Sequence, residues 1–270
     1  MDAYFFSKIN RETSHRHFNK YSGKSVTICF DLEDGVGDIF SAKRTSELKN
    51  QQRELIYNLF VNQIINEDEI KFGFRINVTD EQLFDIEILS KINNEFSLFI
   101  PKVESIEKFS LTLERIKGAN LNCTSIIPVI ESKQGINILS QIIPLDKRIR
   151  AVSFGHCDYN LSENNFPFFH QDKLEYWKWV NKILELIKPD ITFLNSPYLK
   201  LNDTTFFNSI PSHLNFLPKG NFGQIALTSL HTSLCLDFNS KPFKTECIAK
   251  NRLTLSLNKK YVEEYIEKYN

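Results

Sequence analysis

KFGFRINVTDEQLFDIEILSKINNEFSLFIPK, residues 71–102, is the stretch on which the fold turns. Lys71 to Asn77 is rich in Phe and Ile and runs into turn-forming residues, which predicts a strand. Thr79 to Ile92 is predicted as a helix, opened by the capping-box pair Thr79 and Gln82, three residues apart. Phe96 to Pro101 returns to a short apolar run, again a strand. Strand, helix and strand in succession form a βαβ unit, a connection that pairs parallel strands.

The same alternation extends in both directions. Ile106, Phe109, Leu113 and Ile116 recur at spacings of three and four, and Gly118 stands where a helix is stopped. Residues 125–130, 151–154 and 191–194 are predicted as buried strands, with helices near 133–143 and 171–188 between them. The second of these helices is expected to bury Trp177, Val180, Leu184 and Ile187. Tyr4 to Phe6 and Val26 to Phe30 upstream, and Gln224 to Leu230 downstream, bring the count to eight strands. Eight βα units in about 250 residues fit an α/β fold, a single-domain (β/α)8 TIM barrel. Residues 1–240 are expected to form it, with 241–270 as a C-terminal helical tail.

Composition narrows the function. The formal charge is zero, from 33 basic and 33 acidic residues, and no basic block marks a nucleic-acid partner. No window holds 18 successive apolar residues, and the first residues lack a basic, then apolar, leader, so a cytoplasmic protein without a membrane span is expected. Five widely spaced cysteines, none in a CxxC pair, indicate neither a disulfide framework nor a zinc site. Gly23-Lys24-Ser25 lacks the first glycine of a P-loop and precedes a strand instead of following one. His15 and His17 lack a third ligand, and no GxSxG elbow serves a hydrolase triad.

Polar residues instead gather where strands end: Glu33 and Asp34, Arg75 and Asn77, Lys102 and Glu104, Glu131, Asp158, and His231. Any one of them alone is an ordinary loop residue or helix cap. In a (β/α)8 barrel, however, those ends converge on the mouth that carries the active site. Carboxylates gathered there call for a neutralising cation, and hard oxygen ligands suit a divalent one. Glu131 and Asp158, at the ends of adjacent strands, are positioned to give Mg²⁺ one oxygen each.

FDLEDGV (30–36), FRIN (74–77), PKVES (101–105), PVIES with Gly135-Ile136 (128–136) and FGHCDY (154–159) resemble, in order and spacing, the motifs of citrate lyase β-subunit-like aldolases. The likeness spans roughly residues 3–235. It implies a metal-dependent TIM-barrel lyase in which Glu131 and Asp158 hold Mg²⁺, with Mn²⁺ as a substitute. Arg75 would contact the substrate's carbonyl or carboxylate oxygen, with Asn77 and Lys102 beside it, while Glu33 and Asp34 organise the metal waters and the arginine. The implied reaction makes or breaks a carbon–carbon bond of a small hydroxy or oxo acid, or its acyl thioester, through an enolate. A small carboxylic-acid substrate, CoA or an acyl-carrier partner, and a homo-oligomer (trimer or hexamer) belong to the same expectation.

Departures from the family pattern bear on CoA more than on the metal. Gly220 to Thr232 keeps the glycines and the histidine of a G-x-x-G-K-x-x-I-H-P segment but lacks its lysine and proline, and Cys157 replaces the acid before the metal aspartate. Condensation with acetyl-CoA in the manner of malate synthase, and a non-catalytic binding subunit of a larger lyase complex, are the alternatives.

Overall fold

A computed structural model describes residues 1–7, 11–33, 35–36, 41–61, 70–215 and 221–237. Eight strands close into one parallel barrel in chain order: β1 (Asp2–Ser7), β2 (Val26–Asp31), β3 (Lys71–Arg75), β4 (Phe96–Ile100), β5 (Cys123–Ile130), β6 (Ala151–Phe154), β7 (Thr192–Asn195) and β8 (Asn221–Ala226). Around them lie α1 (Arg11–Tyr21), α2 (Ala42–Phe60), α3 (Glu81–Leu89), α4 (Ile106–Gly118), α5 (Lys133–Ile142), α6 (His156–Ser162), α7 (Leu174–Leu186), α8 (Thr204–Phe207), α9 (Ile210–Asn215) and α10 (Ser229–Asp237). The expected (β/α)8 TIM barrel is the observed fold. The C-terminal tail expected to be helical lies outside the described residues. Among the described residues no helix is long and apolar enough to cross a membrane.

Strand side chains alternate between two cores, as the period of two requires. Cys29, Phe99, Ile127, Val129, Ala151, Leu194 and Ile225 fill the barrel interior, with Tyr4 and Phe6 packed against them. Outward-facing strand residues such as Phe30, Phe74, Phe96 and Phe154 pack in the second core, toward the helices. The phenylalanine excess is placed here: Phe18, Phe30, Phe60, Phe72 and Phe74 meet mostly edge to face, with ring centroids 4.8–6.3 Å apart. Each such pair adds about 0.5–1.5 kcal/mol beyond the area it buries. Inside the barrel, Gly73 makes room for this packing, since a β-carbon there would stand 3.0 Å from Cys29 Sγ and 3.3 Å from the Phe99 ring.

Element ends follow local chemistry, with some differences from expectation. Ser105 and Ser132 cap α4 and α5, accepting from Lys108 N and Gly135 N. The capping box expected at Thr79 and Gln82 does not form, because Gln82 turns inward. Its Nε2 donates to Asn77 O and Thr112 Oγ1, and its Oε1 accepts from Arg115. The helix therefore begins at Glu81, two residues late, and ends at Leu89. Tyr176 and Ile183 of α7 are buried where Trp177 and Ile187 are only partly so. The last strand is Asn221–Ala226 and not 224–230, since Ser229 already starts α10. His231 consequently sits in that helix, buried and stacked on Phe207 at 4.1 Å, and not at a strand end.

Candidate active site

Parallel pairing of β2 with β3 sets Asp31 opposite Arg75, each the last residue of its strand. The guanidinium meets that carboxylate through two bonds, Nε to Oδ1 at 2.7 Å and Nη2 to Oδ2 at 2.6 Å. The same carboxylate accepts from Glu33 N at 3.0 Å and Gly35 N at 2.7 Å, which closes the turn after β2. Glu33 is buried beside Arg75, with Oε2 3.3 Å from Nη1, and its Oε1 lies 2.7 Å from Lys102 Nζ. Charge thus alternates along Asp31, Arg75, Glu33 and Lys102.

Lys102 also reaches the next carboxylate through its backbone. Its φ of 51° lies in the left-handed region, a conformation that costs a non-glycine residue about 1–3 kcal/mol. Held this way, its N–H donates to Glu131 Oε2 at 2.8 Å. Glu131 lies just past β5 and is 6% exposed. Its side chain runs against Gly155, where a β-carbon would stand 2.5 Å from Glu131 Cγ. Burial raises the Glu131 carboxyl well above its ordinary range, and the charges of Asp158 and Glu33 add to the rise against the opposing pull of Arg75 and the Lys102 N–H. Asp158 stands in the first turn of α6 and faces the same cavity.

That cavity holds about 380 Å³ and takes Asp31, Arg75, Glu131 and Asp158 into its wall. A carboxylate whose charge the site disfavours, with Asp158 beside it, is a donor set a hard cation stabilises. Among the described residues no cluster of three or more His, Cys, Asp or Glu is disposed to hold a metal ion. Two carboxylates remain compatible with Mg²⁺, which keeps several waters and takes one or two protein carboxylates.

The other predicted residues lie differently. Asn77 is buried behind the mouth, its N–H and Nδ2 donating to Asp85 Oδ2 at 2.8 Å, Nδ2 also to Leu32 O at 2.8 Å, and its Oδ1 accepting from Lys49. This is a brace for the β2 and β3 loops, outside the cavity lining. Glu33 and Lys102 stand behind the wall, and Glu104 points to solvent. Asp34 lies outside the described residues.

Asp31, not among the candidates that the sequence analysis names, is the two-point partner of Arg75. Sequence reasoning also passed over His156, which lines the cavity and whose Nε2 lies 2.9 Å from His170 Nδ1. Burial, then the neighbouring His170, lowers the His156 ring well below its ordinary pKa.

A charged mouth of this kind on a closed parallel barrel defines the setting, and comparison with known proteins supplies the class. RipC from Yersinia pestis is similar at 19% identity, over 90% of this chain and 96% of that one, with a TM-score of 0.61. Protein CitE from Mycobacterium tuberculosis in complex with magnesium and pyruvate is similar at 14% identity, over 95% and 96%, with a TM-score of 0.65. Haloferax volcanii malate synthase aligns at 15% identity over 94% of this chain and 78% of its own, with a TM-score of 0.69. At such identities these likenesses establish the shared fold. No functionally curated protein matches the sequence. The model of the HpcH/HpaI aldolase/citrate lyase family matches residues 5–174. The chain belongs to that family, and with it to the lyase-type enzymes.

Proposed function

We propose that the protein is a divalent-metal-dependent carbon–carbon lyase or aldolase acting on a hydroxy or oxo acid, free or as an acyl thioester. The observation that carries this reading is the lining of one cavity by Glu131 and Asp158 together with Arg75, itself fixed at two points by Asp31. Glu131 and Asp158 would hold Mg²⁺ or Mn²⁺, and the magnesium complex of the similar CitE supports that choice. When bound, such a cation supplies Lewis-acid polarisation of a carbonyl beside the bond that breaks.

Arg75 presents an always-protonated fork to the carboxylate or carbonyl oxygen of the substrate. Asp31 occupies two of its donors from behind, so the guanidinium plane is fixed before substrate arrives and little reorganisation remains. Glu33 balances the charge of Arg75 and Lys102, and the Lys102 N–H holds Glu131 in place.

Calorimetric titration with Mg²⁺ and Mn²⁺ tests the reading directly. Wild-type protein is expected to bind one ion, and Glu131→Gln with Asp158→Asn to lose it. Pyruvate release from 4-hydroxy-2-oxo acids should disappear in the same double variant and on adding EDTA. Equal metal binding in wild type and double variant would overturn the assignment.

A further inference from the structure

We propose that the substrate carries an apolar group, an aliphatic chain of about four to six carbons or an aryl ring, on the side away from its oxo-acid end. This inference rests on the lyase reading and deepens it.

The cavity wall is divided by strand. Its charged side chains come from the ends of β2, β3, β5 and β6, namely Asp31, Arg75, Glu131 and Asp158. The arc made by β7, β8 and the turns after them contributes Pro197, Leu199, Ile225 and Leu227, while Phe6 of β1 lies beside the Arg75 guanidinium, 5.9 Å from ring centroid to charge, and Phe99 and Val129 line the cavity from β4 and β5. No charged side chain lines that arc among the described residues. A ligand held by its oxo acid on the charged side extends its other end over carbon. A second carboxylate laid on those side chains would be stripped of water, with no cation among the described lining residues to meet it. A chain or ring would instead cover Leu227, which is 36% exposed at the mouth.

Size points the same way. About 380 Å³ lies within the roughly 300–1,000 Å³ of pockets that enclose drug-sized ligands, well above what a three-carbon acid fills. At the floor, the Ser153 hydroxyl is fully buried and has no hydrogen-bond partner among the described residues, so a ligand oxygen at that depth would satisfy it.

The reaction then balances without further reactants. A 4-hydroxy-2-oxo acid R–CH(OH)–CH₂–CO–COO⁻ gives its hydroxyl proton to a base as the C3–C4 bond breaks. The bond pair passes to C3 as the enolate, R leaves as the aldehyde R–CHO, and the enolate takes a proton at C3 to become pyruvate.

Binding tests the proposal independently of turnover. In isothermal titrations with Mg²⁺ present, pyruvate, 2-oxobutanoate, 2-oxohexanoate and 2-oxooctanoate should bind in rising order. The expected step is about fourfold per methylene until the arc is filled, roughly 0.8 kcal/mol for each buried CH₂ converted at about 1.4 kcal/mol per decade. 2-Oxoglutarate should bind no better than 2-oxobutanoate. Leu199→Asn and Leu227→Asn should each reduce the ratio of 2-oxohexanoate to pyruvate affinity at least threefold. A flat series, a preference for 2-oxoglutarate, an unchanged ratio in both variants, or no binding of any oxo acid overturns the proposal. Aldol addition of pyruvate to acetaldehyde and to hexanal separates the two readings. Turnover without chain-length preference leaves the lyase standing and removes this specificity, whereas graded binding without turnover does the reverse.

Discussion

Arg75 and Asp31 illustrate how one contact settles a side chain's orientation. Two charge-assisted bonds of 2.6–2.7 Å fix the guanidinium in a plane that a lysine ammonium could not adopt. Asp31→Asn keeps the volume but replaces one acceptor oxygen by an amide donor, which the fork cannot accept. Steady-state kinetics of Asp31→Asn should show kcat/KM falling by about 10- to 100-fold, an effect of the size seen when an orienting partner is lost. Gly155 makes the second residue-scale case. A methyl group there would stand 2.5 Å from Glu131 Cγ, so Gly155→Ala must displace that carboxylate. Metal affinity measured by calorimetry should drop about 10- to 100-fold in Gly155→Ala, while far-UV circular dichroism keeps the wild-type shape. Glu131, Asp158 and Arg75 were legible as candidates because each follows an apolar run. The pairing of Asp31 with Arg75 was not, because it joins positions 44 residues apart and depends on strand register, which no local pattern encodes.

Elements position the site through buried polar contacts between α2, α3 and the loops after β2 and β3. Arg53 of α2 reaches Asp85 of α3 through Nε at 2.8 Å and Glu81 through Nη2 at 2.5 Å. Asp85 in turn takes both amide groups of Asn77, whose Nδ2 holds Leu32 O next to Glu33. Burial raises the Asp85 carboxyl even though Asn77 and Arg53 pull the other way. Removing the cation leaves that buried carboxyl with only the Asn77 donors, so Arg53→Met should cost about 3–5 kcal/mol in urea unfolding. Adding Asp85→Asn should recover part of the loss, since the second change removes the stranded charge. Helix and strand identities were readable here from periodicity. Boundaries were not: Thr79 and Gln82 spell a capping box, yet Gln82 finds better partners in Thr112 and Arg115 on α4, and tertiary contact outweighs the local motif. At the other end of the chain, the apolar run 224–230 reads as one strand until Ser229 opens a helix.

Over the whole molecule, burial acts on titratable groups in two opposing directions. His17, His156, His213 and His231 all have lowered pKa values, with desolvation as the first cause. Below the ordinary value of 6.5 the unfolded chain binds protons that the folded chain refuses. Their contribution to stability is therefore complete above about pH 6.5 and is lost as pH falls below it. Glu131 behaves in the opposite sense: its raised pKa means that the folded protein retains a proton the unfolded chain releases, so ionising it costs stability as pH rises above its ordinary 4.5. In its proposed role as a Mg²⁺ ligand, Glu131 would bind the ion in competition with a proton, so metal affinity should increase with pH, and titrations in buffers of different ionisation enthalpy should register proton release. Glu131→Gln should abolish the release. The barrel was legible at this scale because alternation of short apolar runs with longer amphipathic segments persists through the chain. The division of the mouth into a charged and a carbon-lined side was not, because it depends on which strands become neighbours once β8 meets β1.

The left-handed backbone of Lys102 sets backbone strain against charge balance at a single codon. Glycine occupies φ near 51° without a steric cost and relieves the strain there. It also deletes the ammonium that faces Glu33. The relieved strain and the stranded Glu33 carboxylate oppose each other, so Lys102→Gly should shift the melting temperature little, read by circular dichroism, while Lys102→Met, which keeps the strain and strands the same carboxylate, should lower it.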